Sequence, residues 1–203
     1  MQEMIEIPLF PLKTVLLPGN KLALKIFETR YLDMVARCMR EDQCFGVILI
    51  QNGEETQTDS EIFSFGTTAT IADFQNRADG LLSITVLGQQ RFEIHSTRCE
   101  ADGLIIAKVE LLEEASCDQV PEQFFYMQEL LEHISAQEGR TQIDVGDFAS
   151  IMYQLIYLLP LDTLLKQRLL ELPDCNDRAV VLHAELIRLG VIQYVKPGEE
   201  PAS

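Results

Sequence analysis

The sequence predicts an α+β fold in two lobes, a strand-rich lobe followed by a lobe of helices. Up to about residue 115, short apolar or alternating runs are separated by turn-forming segments such as "QNGEE" and "NRADG". Beyond about residue 120, apolar residues recur at helical spacing, and each such run is followed by a glycine or a proline. We therefore predict a β-rich domain over residues 1–115, a helical bundle over residues 116–195 and a disordered tail over residues 196–203.

Seven segments of the first lobe have strand character. In "KLALKIF", Leu22, Leu24 and Ile26 alternate with lysine and alanine, which is typical of a half-buried strand. "CFGVILI" is continuously apolar and predicts a strand that is buried on both faces. The other segments are "EMIEI", "GTTATIADF", "GLLSITVLGQQ", "RFEIHS" and "LIIAKVEL". So many short strands close together indicate a curled sheet or a barrel.

One helix interrupts these strands. Between Glu28 and Arg40, the apolar stripe of a helix is formed by Tyr31, Met34, Val35 and Cys38. We expect this stripe, with Phe27 just before it, to be buried and to close one end of the sheet.

The second lobe is predicted to contain four helices. Their caps are predicted at Asp118, at Asp144 (with Asp147 three residues later) and at Asp174. Pro160 ends the second helix and Gly190 ends the fourth. Helices joined by such short links pack as a bundle.

Composition restricts the classes of partner. The chain holds 32 acidic and 16 basic side chains, a formal net charge of −16, which opposes binding to nucleic acid or to an anionic membrane. Residues 1–40 are the exception, with six basic against four acidic side chains. No apolar run is long enough to span a bilayer, and the N-terminus lacks the positive charge of a secretory leader. The five cysteines are dispersed and odd in number, so we expect a soluble cytoplasmic protein with reduced thiols.

Catalytic signatures are absent from the sequence. It contains no G-x-x-x-x-G-K-[ST] phosphate loop, no G-x-G-x-x-G fingerprint and no G-x-S-x-G elbow. His183 and Glu185 match the H-x-E fragment of zinc deaminases, but no P-C-x-x-C supplies the remaining ligands. We therefore predict no catalytic residue, no metal site and no cofactor, and hence no enzyme activity.

Several segments together resemble the N-terminal substrate-binding domain of Lon proteases. The resemblance covers nearly the whole chain, in order. Its segments are "IPLFPLKTVLLPG" (7–19), "LALKIFETRYLDMV" (22–35), "FGVI" (45–48), "GTTATI" (66–71), "DGLLSITVLGQQRFEI" (79–94), "DFASIMYQLIYLLPLDTLLKQRLLEL" (147–172) and "DCNDR" (174–178).

The resemblance implies a PUA-like β-barrel followed by an α-helical bundle. It also implies a non-catalytic module of protein quality control that binds unfolded or extended protein segments, or a partner protein, and that can form a homo-oligomer. In Lon proteases separate domains hydrolyse ATP and cleave peptide bonds. This sequence has no Walker lysine and no Ser/Lys protease segment, so we expect binding without either activity.

The resemblance also assigns structural roles to residues of the opening stretch. We expect Pro8, Pro11, Pro18 and Gly19 to fix turns where strands meet, and Phe10, Phe27 and Tyr31 to lie in the core. Glu28 and Arg30 either brace the start of the helix or are exposed binding contacts. The residues of the binding groove are not identified by the sequence.

Two other functions remain open at this point. PUA-like barrels often contact RNA, and the basic excess in residues 1–40 allows a nucleic-acid-binding protein. A small-molecule hydrolase with a cleft between the lobes would need converging carboxylates or a histidine in a large pocket. For a protein-binding module, the candidate surfaces are a barrel edge that accepts an added strand and an apolar groove between the lobes.

Overall fold

The computed structural model describes residues 4–55, 60–76, 82–114, 121–137 and 147–192. Within these residues the strands are β1 (Met4–Leu12), β2 (Lys21–Ile26), β3 (Phe45–Asn52), β4 (Glu61–Asn76), β5 (Leu82–Cys99) and β6 (Ile105–Leu111). The helices are α1 (Thr29–Glu41), α2 (Tyr126–Gln137), α3 (Phe148–Leu158), α4 (Thr163–Glu171) and α5 (Cys175–Arg188), and one 3-10 turn covers Glu122–Phe124. The fold is therefore α+β, as predicted.

The strands form one sheet in the order β2-β5-β4-β3-β1-β6, with an additional pairing between β5 and β6. All pairs are antiparallel except β1 with β3. The long strand β5 makes the extra pairing possible because it changes partner along its length. Its first half, Leu82–Leu87, pairs with β2, and its second half, Phe92–Cys99, pairs with β6. As a result β1, β3, β4, β5 and β6 form a continuous circuit of paired strands, and among the described strands β2 pairs only with β5.

The segments "GLLSITVLGQQ" and "RFEIHS", predicted as two strands, are one strand. No turn-forming residue separates Gln90 from Arg91. Instead, Ala69 of β4 pairs with Gly88 and Thr67 pairs with Arg91, so that β5 has one extra residue at this point. Such a β-bulge bends a strand without ending it.

The prolines of the opening stretch divide into two pairs. Pro18 and Gly19 form the predicted turn: the Asn20 N–H donates to the Leu17 carbonyl over 3.1 Å, and Gly19 has a φ of 75°, as in a type II turn. Pro8 and Pro11 do not form turns, because both lie inside β1. Pro8 pairs with Ile106 of β6 and Pro11 with Ile48 of β3, and a proline is tolerated there only where the ladder needs no N–H.

Helix α1 packs on the sheet through its predicted stripe. Tyr31, Met34, Val35 and Cys38 are all buried, and the Tyr31 ring lies 4.2 Å from that of Phe10 between centroids. The prediction that Phe27 belongs to this core is wrong, because its side chain is 62% exposed. Phe27 lies between the last residue of β2 and the cap of α1, where neither the strand period nor the helix period determines its direction.

A second core lies among α2, α3, α4 and α5. Asp174 caps α5 as predicted, because its carboxylate accepts the N–H groups of Asn176 and Asp177. The N-cap of α3 is Asp147, which accepts the N–H of Ser150. Asp118 and Asp144, predicted as caps, and the predicted tail 196–203 lie outside the described residues. Leu17, from the loop between β1 and β2, is 1% exposed and belongs to this helical core.

The cysteines follow the expectation of reduced thiols only in part. Cys38, Cys44 and Cys99 are free, whereas the buried Cys175 is disulfide-bonded, which corrects the expectation for that residue. Burial raises the pKa of the Cys38 and Cys44 thiols, so both favour the less reactive thiol form. Among the described helices, none has the length and hydrophobicity needed to cross a membrane.

Candidate functional site

The open edge of β2 is the feature of the sheet that offers backbone groups to a ligand. The Gly88 N–H donates to the Asn20 carbonyl over 2.9 Å, and the ladder continues as Leu22 opposite Val86 and Leu24 opposite Ile84. Hydrogen-bonded and non-hydrogen-bonded pairs alternate along an antiparallel ladder. The N–H and C=O groups of Lys21, Ala23 and Lys25 therefore point away from β5, and they have no hydrogen-bond partner among the described residues.

A cleft of about 360 Å³ lies against this edge. We call it the edge cleft. Its apolar lining comes from β1, β2 and α1, and consists of Phe10, Leu12, Leu22, Leu24, Ile26 and Tyr31. Thr14, Lys25, Phe27, Glu28 and Glu55 also line it. An apolar cleft beside unpaired strand groups is the geometry that accepts an extended peptide.

Glu28 and Arg30, the sequence-predicted binding candidates, are neighbours at one end of the edge cleft. The Arg30 Nε donates to Glu28 Oε2 over 2.9 Å, and Arg30 Nη1 donates to the Gly103 carbonyl over 2.9 Å. The guanidinium lies over the Tyr31 ring, 4.7 Å from its centroid. Arg30 is buried. These contacts brace the start of α1 against the β5–β6 turn, so of the two predicted roles the geometry favours bracing for Arg30.

Tyr31 forms the floor at that end of the cleft. Burial, more than the opposing effect of the Arg30 charge, raises the pKa of Tyr31 to about 12. The phenol is therefore neutral at physiological pH and can donate or accept a hydrogen bond. It offers no charge to a ligand, so this part of the cleft is suited to apolar groups.

Exposed apolar side chains continue from the edge cleft across the neighbouring surface. Phe27 is 62% exposed at the cleft itself. On the other side of β2, Phe74 is 50% exposed beside a depression of about 250 Å³ that Ala23 and Lys25 also line. Phe74 also lines a depression of about 330 Å³ with the exposed Met39. Large exposed apolar side chains that lie together mark interaction surfaces.

The charges around β2 are mixed. Lys21 and Lys25 are exposed on its outer face, and neither has a salt-bridge partner among the described residues. The two carboxylates of the cleft are already engaged: Glu28 pairs with Arg30, and Glu55 Oε1 accepts the backbone N–H of Lys13 over 2.8 Å. The basic excess of residues 1–40 thus includes two exposed cations on β2 that have no ion-pair partner within the described ranges.

The boundary between the sheet and the helices, in contrast, is closed by a buried polar network. Glu114 accepts hydrogen bonds from Arg91 Nε, from the Tyr153 hydroxyl over 2.5 Å and from Arg178 Nη1 over 3.3 Å. Both arginines also donate to carbonyls at the end of α4, including that of Leu172. Arg91 and Arg178 are 2% and 0% exposed.

Among the described residues, one cavity at this boundary holds about 70 Å³ and is lined by Leu17, Asn20, Tyr157 and Lys166, among others. Burial lowers the pKa of Lys166, and its ammonium donates to the Tyr157 carbonyl over 3.2 Å. The described part of this boundary is therefore a structural joint.

The polar network is not evident from the sequence pattern. Strand alternation places Arg91 on the solvent side of its strand, but the helices cover that side. A signal was present for Arg178, since it falls on the apolar stripe of α5 with Cys175, Ala179 and Leu182. A cation in such a stripe indicates a buried, paired charge.

The histidines do not assemble a metal site. His95 lies 2.7 Å from Glu110, His133 lies 2.9 Å from the Gln137 amide and His183 lies 2.7 Å from the Tyr126 hydroxyl. These contacts are on three different elements. Within the part of the chain that the structure describes, no group of three or more His, Cys, Asp or Glu side chains could hold a metal ion.

Comparison with known proteins places this geometry in context. Residues 6–188 match the family model of the ATP-dependent protease La (LON) substrate-binding domain. Protein cereblon from Danio rerio is 33% identical over 115 residues, 53% of this chain and 26% of that protein. Lon protease from Amoebophilus asiaticus is 25% identical over 187 residues, 86% of this chain and 22% of that protein. The matched regions are thus about a quarter of the length of these relatives.

Two solved structures are similar over most of the chain. The Lon N-terminal domain protein from Xanthomonas campestris has a TM-score of 0.76 and 31% identity, and covers 89% of this chain and 98% of that one. The N-terminal domain of Mycobacterium avium complex Lon protease has a TM-score of 0.66, with 19% identity over 94% of this chain and 100% of that one. The second similarity concerns the fold alone.

Proposed function

Because the chain belongs to the family of LON substrate-binding domains, we propose that it is a non-catalytic module that binds exposed apolar or extended segments of other proteins. The edge cleft carries this proposal. It combines an apolar lining with the open backbone edge of β2, and the exposed Phe27 lies at its border.

Membership of this family also bears on the architecture of the chain. We infer that the continuous circuit of β1, β3, β4, β5 and β6 is the PUA-like barrel expected from the sequence, with residues 1–115 as one domain and residues 116–195 as a helical bundle. The separate hydrophobic cores support this division, although Leu17 crosses it. We also propose a role in cytoplasmic protein quality control, which is consistent with the proposed ligand class.

The alternatives have weaker support. A hydrolase would need converging acids or a histidine in a large pocket, whereas Glu28 and Glu55 in the edge cleft are engaged by Arg30 and by a backbone N–H. Nucleic-acid binding would rest on Lys21 and Lys25, two exposed lysines on a chain with a net charge of −16.

Site-specific photo-crosslinking tests the proposal. The photoreactive p-benzoylphenylalanine replaces Phe27, which lines the edge cleft, or Phe125, which is 56% exposed in the helical part and serves as the matched control. The ligand is a reduced, carboxymethylated protein that cannot refold. We expect crosslinks from position 27 and not from position 125. Equal crosslinking from both positions, or none from position 27, would contradict the assignment of this surface.

A further inference from the structure

We propose that the ligand binds as an added strand on β2, and that the preferred segments alternate apolar with acidic residues. This inference rests on the proposed function and specifies its ligand. It follows from three features of the molecule: the direction of the free backbone groups of β2, the position of the edge cleft, and the two unpaired lysines of the strand.

The backbone of β2 provides hydrogen-bonding groups for an added strand. Three successive outward-facing residues, Lys21, Ala23 and Lys25, offer N–H and C=O groups without partners in the described structure. An extended segment of about five residues can bond to all of them. Strand β1, which also lines the edge cleft, is less suited to this role because it pairs with both β3 and β6.

The side chains of β2 account for the alternation of apolar and acidic residues in the ligand. Along β2, Leu22, Leu24 and Ile26 alternate with the exposed side chains of Lys21 and Lys25, and Lys25 also borders the edge cleft. An added strand has the same period of two, so every second side chain enters the edge cleft and the others lie beside the lysines. The cleft is suited to apolar side chains, and opposite charges across two strands are favourable.

The same charges disfavour a second copy of this chain as the occupant. An antiparallel pairing of two β2 strands centred on Ala23 would place Lys21 of each copy opposite Lys25 of the other. Like charges directly opposite each other are destabilising. A separate acidic segment has no such conflict.

Peptide binding measured by fluorescence anisotropy tests the inference. The probe is a fluorescein-labelled ELEFELE peptide, and its matched control is KLKFKLK. We expect the acidic peptide to bind about tenfold more tightly, with the order reversed by the double substitution Lys21→Glu and Lys25→Glu. Equal affinities, or a preference of the unmodified protein for the lysine peptide, would overturn the charge assignment.

Backbone pairing is tested separately, on peptides that leave the protein unchanged. One ELEFELE variant carries N-methyl groups on its glutamates, and another carries them on its leucines and phenylalanine. Since alternate N–H groups of a strand face opposite edges, one variant should lose about tenfold or more in affinity while the other keeps its affinity. If both keep it, strand addition is excluded.

Ala23→Pro provides the test from the protein side. It removes an outward N–H but none that faces β5, and Ala23→Val keeps the N–H as a control. We expect only the proline variant to lose peptide binding. Retained peptide binding by the Ala23→Pro variant would overturn the inference. So would the finding that the unsubstituted protein is a dimer that only Ala23→Pro dissociates, because the occupant of the β2 edge would then be a second copy of the chain. If the unmodified chain binds unfolded protein but neither peptide, this inference fails and the proposed function stands; if it binds neither ligand, both fail.

Discussion

The guanidinium of Arg178 lies 3.3 Å from the carboxylate of Glu114, between Nη1 and Oε2, and joins α5 to the segment that follows β6. The Glu114 carboxylate also accepts hydrogen bonds from Arg91 of β5 and from the hydroxyl of Tyr153. One carboxylate thus satisfies two fully buried cations from different parts of the fold. Removing one member of such a network leaves the others buried without compensation.

Glu114→Ala should therefore lower the free energy of unfolding by about 3 kcal/mol, because Arg91 and Arg178 would remain buried without their anion. Urea denaturation measures this change. Glu113→Ala is the matched control, since Glu113 is exposed and next to Glu114 in the chain. We expect less than about 0.5 kcal/mol for the control. Similar values for the two variants would show that the network does not join the lobes.

Gly88→Ala should destabilise the protein more than Gly19→Ala. A Cβ at Gly88 would lie 2.4 Å from the Leu17 carbonyl oxygen, which is backbone and cannot move alone. At Gly19 a Cβ has free space, and the cost is limited to the positive φ of 75°, about 1 kcal/mol. Thermal and urea unfolding of both variants give the order. The reverse order would mean that the Leu17 loop is not held against β5.

Phe27→Ala should leave stability within about 0.5 kcal/mol of the unsubstituted protein, because the side chain is 62% exposed. Its affinity for a reduced, carboxymethylated protein should fall several-fold, since Phe27 lies at the edge cleft. Phe125→Ala, an equally large truncation at a 56% exposed site, should change neither quantity. A large loss of stability in Phe27→Ala would instead indicate that Phe27 belongs to the hydrophobic core.

We predict that the protein loses stability at alkaline pH because the buried phenol of Tyr31 ionises. Burial raises its folded-state pKa to about 12, above the unfolded value of 10.0. The folded state then holds the phenol proton more tightly, so the stabilisation is complete below pH 10 and is lost as the pH rises towards 12. Between pH 8 and pH 11 the free energy of unfolding should fall by about 1.4 kcal/mol through this group. Tyr31→Phe should lack that part of the decrease in urea titrations at pH 8 and pH 11; an identical pH dependence would contradict the assignment.

Much of the fold could be predicted because local patterns determine it. The α1 stripe, the Asp174 cap and the Pro18–Gly19 turn each depend on residues close together in the sequence, and the structure confirms all three. The direction of Phe27 could not be predicted in this way, because it lies between a strand and a helix and follows neither period.

The candidate site was harder to predict because it depends on long-range pairing. The free edge of β2 exists because β5 pairs with β2 along one half and with β6 along the other. The segment "KLALKIF" alone does not indicate that one edge of this strand remains unpaired. Likewise, the burial of Arg91 follows from the packing of the α4 end onto β5, over more than seventy residues of sequence separation. Glu28 and Arg30 contact each other at the start of α1, and of the two roles expected from the sequence this contact favours bracing.

The central claim is that this chain recognises unfolded protein. Its most direct test is an anisotropy titration of the purified chain against one fluorescently labelled protein in two forms, native and reduced-carboxymethylated. The account predicts saturable binding to the unfolded form, weakened by Phe27→Ala, and no binding to the native form. Absence of saturable binding to the unfolded form, or equal binding to both forms, would contradict it.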